Sequence, residues 1–202
     1  MSISSRRPRR GPAPGMPERR FPLTLVILSG GVIALVAILG VAIYNTTQDR
    51  AIATTAIEGV KVFPGLDRGH QDGAVAYEQT PPVGGPHNAA WLNCGIYEEP
   101  VASEYAVHSL EHGAVWVTYR PDLPAEQVEL LRRQVRGNGY VVLSPYPDLP
   151  SPVVASAWGI QLSLEEAGDP RLNAFMRKYQ QGPQTPELGA ACTQGVGTPS
   201  QR

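Results

Sequence analysis

The chain has 202 residues, enough for one folded domain plus appendages, and its 17 basic side chains nearly balance its 18 acidic ones. The charges are unevenly placed: Arg6, Arg7, Arg9, Arg10, Arg19 and Arg20 crowd the N-terminus, and the remainder is mildly acidic. Because a duplex-binding domain carries a basic face or stripe, this distribution argues against nucleic acid as a partner of the folded part.

Residues 1–20 are rich in Ser, Arg, Pro and Gly and cannot bury enough apolar surface to fold, so they read as a cytoplasmic tail. Within 21–45, Leu23 to Tyr44 contains no charged residue, and about 20 such residues cross a hydrocarbon core of about 30 Å as a helix. A single transmembrane anchor is the expectation. A secretory signal peptide competes with it, since Ala51-Ile52-Ala53 resembles a cleavage site, but the apolar part of a signal runs only about 7 to 15 residues. The arginines ahead of the span place the N-terminus in the cytoplasm and the rest of the chain outside the cell membrane, as a single-pass protein.

Residues 46–58 read as a polar stalk and 59–187 as an extracytoplasmic domain. In that domain Gly59 to Pro64 alternates apolar and polar residues before a proline, as an edge strand does. His70 lies in the polar run Asp67 to Gly73, an exposed loop. Thr80 to His87 packs three prolines and two glycines into eight residues, which excludes helix and leaves a rigid loop that delivers His87 to a fixed place. A helix from Val101 to His112 is followed by a strand from Ala114 to Tyr119, launched by Gly113. Val128, Leu131 and Val135 mark a helix from Ala125 to Arg136. Tyr140 to Leu143 and Pro152 to Ile160 read as strands. Asp169 caps a last helix with Pro170 in its first position and Gly182-Pro183 as its stop. The tail 188–202 is expected to be flexible and tethered by Cys192. This order predicts an α+β fold with a small mixed or antiparallel sheet and helices mainly on one face. A thioredoxin-like arrangement is the alternative, since that fold also closes strand, strand, helix.

Cys94 and Cys192 are the only cysteines, and an even count outside the cytoplasm favours a disulfide between them. The competing reading makes Cys94 a metal ligand or nucleophile near His87. The densest chemistry lies in His108-Ser109-Leu110-Glu111-His112. Four residues apart on a helix, His108 and His112 share a face, and His87 offers a third imidazole. Zinc and copper both favour imidazole nitrogen, so these three histidines form the candidate metal set. Glu111 stands beside them as ligand, orienter or general base. Histidines near a helix C-terminus also serve as plain hydrogen-bonding groups, which keeps a metal-free reading open. The spelling His-x-x-Glu-His equals an inverted zincin motif, for which Glu165 or Glu166 would complete the shell, but Gly113 ends the helix too early for that class.

The succession PPVGGPH, WLNCGIYEEPV, VHSLEHGAVWVTYRP, VVASAWG and FMRKYQQGPQTPE resembles the bacterial family of domains of unknown function 3105, over about Gly59 to Glu187. The resemblance implies a membrane-tethered or secreted domain and marks His87, His108, Glu111, His112 and Trp158 as matching positions. It implies no activity. The resulting expectation is a membrane protein whose outer domain binds zinc or copper through histidines. A metal-free interaction module of the cell envelope is the alternative, with a protein partner the sequence does not name. A metal-dependent hydrolase using Glu111 ranks third.

Overall fold

A computed structural model describes residues 32–44 and 56–201. Residues 32–44 are helical and solvent-exposed, and they belong to a unit separate from the domain. No helix among the described residues is long and apolar enough to cross a membrane. The first part of the expected span, residues 23–31, lies outside the described residues, as do the tail 1–20 and most of the stalk.

The domain is a six-stranded mixed sheet with helices. Its elements are β1 (Val60–Val62), β2 (Gly95–Ile96), α1 (Ser103–Glu111), β3 (Val115–Tyr119), α2 (Ala125–Val135), β4 (Val141–Pro145), β5 (Val153–Ala157), β6 (Ile160–Leu164) and α3 (Pro170–Tyr179). The spatial order is β1-β6-β5-β3-β4-β2. β3 and β4, joined through α2, run parallel, as do β2 and β4, whereas β3–β5, β5–β6 and β1–β6 are antiparallel. β3 and β5 are buried along their whole length, which explains their continuous apolar character.

Alternation along β3 divides the core in two. Val115, Val117 and Tyr119 face α2 and α3, packing on Leu131, Val135, Leu172, Phe175 and Met176. Trp116 points to the other side, into a cluster with Ala106, Val107 and Leu110 of α1 and with Trp158. Of the three helices of the domain, two therefore cover one face, in keeping with helices mainly on one face, and α1 covers the other. In α1, Ala106, Val107, His108, Ser109, Leu110 and Glu111 are all buried, so this helix needs cover on more than one side. The closing order strand, strand, helix, on which the thioredoxin-like alternative rests, is present in β5, β6 and α3.

Two elements differ from the sequence reading. Pro152 to Ile160 is not one strand but β5 and the start of β6, turned at Trp158-Gly159, where Gly159 has φ +68°. β2 is only two residues long, too short for a periodic signal. The disulfide joins Cys94 and Cys192, 98 residues apart. The tail is held by more than this bond. Asn93 N–H donates to Val196 at 2.8 Å, Val196 N–H to Trp91 at 2.8 Å and Ile96 N–H to Gln201 at 2.9 Å, so residues 192–201 run alongside 91–97.

Candidate metal centre

α1 carries the site at its C-terminal end. It starts at Ser103 without a side-chain cap and ends at Glu111, with His112 as its C-cap. Gly113 then turns the chain into β3 at φ +94°, a conformation that glycine adopts freely and L side chains do not. His108 and His112 share a face, with ring centroids 4.5 Å apart.

The loop bearing His87 is fixed by the β5–β6 hairpin. Gly159 N–H donates to the Val83 carbonyl at 2.7 Å, Gln161 Nε2 to Pro81 at 2.9 Å and Tyr77 Oη to Pro86 at 2.8 Å. Gly84 leaves no room for a Cβ, which would stand 2.6 Å from Leu66 Cδ1 and 3.3 Å from the Trp158 ring. Trp158 also meets the His87 ring edge-on at 5.8 Å. A second loop pairs with the first through the backbone: His87 N–H donates to Gly69 at 3.1 Å and Gln71 N–H to His87 at 2.8 Å. That pairing brings His70 to the site.

All four histidines of the chain converge here. Three are buried and bound alike. Nδ1 donates to a backbone carbonyl in each: His87 to Gly85 at 2.8 Å, His108 to Asn88 at 2.7 Å and His112 to Ala191 at 2.7 Å. A carbonyl only accepts, so each Nδ1 carries a proton, and in the neutral ring Nε2 is the atom that presents a lone pair. His87 Nε2 is fully buried, has no hydrogen-bond partner, and stands 2.9 Å from Glu111 Oε2. The other oxygen, Oε1, accepts from Arg68 Nε at 2.7 Å. Burial, reinforced by the neighbouring imidazoles, pulls the pKa of His108 below the usual imidazole range, against the raising effect of the Asn88 carbonyl. The neutral ring, the form that ligates metal, is thereby favoured.

The donors fall into two groups, and within each group the ligand atoms lie within 4.8 Å of one another: His70, His87, His108 and Glu111 form one, and His108, His112 and Glu187 the other. The expected set His87, His108, His112 is thus split, with His108 common to both groups. His70 and Glu187 are additions. His70 arrives through loop pairing, and Glu187 through its backbone N–H, which donates to the Glu111 carbonyl at 3.0 Å. The carboxylates considered for an inverted zincin, Glu165 and Glu166, belong to neither group. Cys94 is spent in the disulfide and is not available as ligand or nucleophile. Ser109 is structural: its hydroxyl donates to the Leu92 carbonyl at 2.7 Å.

A mixed α+β domain with a buried His/Glu group that could hold a metal ion is the class these features define. The family model described as "Protein of unknown function (DUF3105)" matches residues 70–194, and the chain belongs to that family. The matched stretch contains all four histidines, both carboxylates of the site and both cysteines. No curated protein and no solved structure matches the chain.

Proposed function

We propose that this domain binds one transition-metal ion, zinc or copper, through Nε2 of His87, His108 and His70 and a carboxylate oxygen of Glu111. The observation that carries the reading is the contact between His87 Nε2 and Glu111 Oε2. With the His87 ring neutral, two acceptors face each other at 2.9 Å in a buried place, and either a proton or a metal ion between them removes the repulsion. A proton would serve this one pair and make His87 an imidazolium, crowded by His70 and His108 at centroid distances of 4.9 Å. A metal ion serves all four donors at once. Ligand atoms at about 2.0 Å from a tetrahedral zinc stand roughly 3.3 Å apart, so His87 and Glu111, at 2.9 Å, would part slightly and His70, at 4.0 Å from Glu111, would move in. The Nδ1 bonds to backbone carbonyls are the outer contacts that usually orient metal-binding imidazoles.

The protonated pair is the second reading and corresponds to a metal-free interaction module. With Glu111 engaged by both Arg68 and His87, a role as free general base, and with it hydrolysis, has the weakest support. We further propose that the uncharged stretch from Leu23 to Tyr44 anchors the chain in the cell membrane with the domain outside. Support comes from its composition, the arginines before it and the exposed apolar side chains of residues 32–44, such as Ile33, Leu39 and Ile43. Equilibrium dialysis of the full-length chain against zinc and copper tests the metal reading. Tight binding that disappears in H87A/H108A is the expected result, and equal binding by wild type and variant would refute it.

A further inference from the structure

The second donor group continues the first. His108 Nδ1 is committed to the Asn88 carbonyl, so a single lone pair on Nε2 serves both groups and can coordinate one ion at a time. Together the groups form a row whose ends are half-exposed and whose middle is buried. The Glu187 side chain is 43% exposed and that of His70 46%, against 5% for His112, 0% for His87 and 2% for Glu111. Successive rings lie within reach of an ion changing ligands: 4.5 Å from His112 to His108, 4.9 Å on to His87 and 4.9 Å on to His70. A structural metal site is closed by its own ligands. Here an additional imidazole and carboxylate lead from the buried ligands to solvent, with Glu187 Oε2 3.3 Å from His112 Nε2.

We infer that the row is a transfer path for a transition-metal ion carried as cargo, which is captured at Glu187 and His112 and passed by His108 to His87, Glu111 and His70. The inference rests on the metal-binding reading above. The ion keeps its charge throughout and exchanges ligands on either side of His108 Nε2. Capture falls at the Glu187 end because its half-exposed carboxylate, although Arg68 Nη2 stands 4.0 Å from one oxygen, attracts a hydrated cation, whereas the exposed group at the opposite end is an imidazole. The ion then moves inward because three imidazoles and a carboxylate outbid one shared imidazole, a second and a carboxylate. The exposed ring of His70 is where a receiving metal-binding partner gains access.

Stopped-flow mixing of the full-length chain with Co²⁺, followed by its visible absorption, tests the path. One Co²⁺ per chain is expected at saturation. E187Q and H112A should each load about tenfold more slowly, the scale of electrostatic capture, while their equilibrium affinity falls less than that of H87A. E187Q preserves side-chain shape and the backbone bond to Glu111, so slowed loading in that variant is not a folding defect. Two Co²⁺ per chain, wild-type loading in either variant, or a loss of affinity as large as in H87A would overturn the path while leaving metal binding intact. A wild-type chain that takes up no Co²⁺ would overturn both.

Discussion

Glu111 is the residue on which the metal and metal-free readings diverge. In metal-free protein a glutamine in its place keeps an acceptor for Arg68 Nε and supplies an N–H toward His87 Nε2, replacing an acceptor–acceptor contact with a hydrogen bond. E111Q should therefore unfold in chelator at a temperature equal to or above that of wild type, while metal affinity falls at least about tenfold. If instead the contact is a buried imidazolium–carboxylate pair, breaking it costs about 3 to 5 kcal/mol, and thermal unfolding shifts down by several degrees. At this scale the sequence showed His87, His108, Glu111 and His112 as the chemically dense residues. It did not show that His112 belongs to a different donor group from His87. Spacing on α1 places His108 and His112 on one face, but His87 arrives on a loop whose direction is set by Trp158 and the β5–β6 hairpin, far along the chain.

The elements divide according to how local their causes are. α3 was readable at its start: Asp169 accepts from Arg171 N–H at 2.9 Å, and Pro170 opens the helix, which ends at Tyr179, ahead of the expected stop at Gly182-Pro183. The Arg171 side chain, hydrogen-bonded to the same carboxylate, holds Asp169 below the usual carboxylate range. D169A should cost about 1 kcal/mol in urea unfolding at neutral pH, as loss of an N-cap does. A folded-state pKa below the unfolded one means that the carboxylate's contribution is complete above the ordinary carboxylate pKa and is lost as pH falls through the lowered value. The difference between D169A and wild type should accordingly shrink in acid and not in base. Gly113 offers a second element-scale test: at φ +94° and against Gln181, which donates to the His112 carbonyl, G113A should destabilise by about 1 to 3 kcal/mol. By contrast the β5–β6 hairpin was hidden. β5 is mostly apolar, and although Ile160, Gln161, Leu162, Ser163 and Leu164 of β6 alternate, the Trp-Gly turn between them carries none of the residue pairs that usually announce a hairpin, so the two strands run together in the sequence.

For the whole molecule, the mixed sheet and the Cys94–Cys192 bond follow from element order and from there being two cysteines in the chain, whereas the assembly of the site does not. His70 and Glu187 lie 117 residues apart in sequence (187 − 70) and reach the two donor groups that share His108 through backbone pairing of loops with no periodicity to betray it. The disulfide closes a loop of 98 residues, and in the chain-entropy model its reduction should lower unfolding stability by about 4 to 5 kcal/mol, readable as a fall in urea midpoint. Glu187 and Ala191, which hold His112 in place, precede Cys192 on the same segment, so the staple also restrains half of the donor row. X-ray absorption at the zinc edge of the zinc-loaded full-length chain tests the central claim most directly. It should report a four-coordinate shell with imidazole scattering from three histidines at about 2.0 to 2.1 Å. A six-coordinate, all-oxygen shell without imidazole scattering would contradict the account.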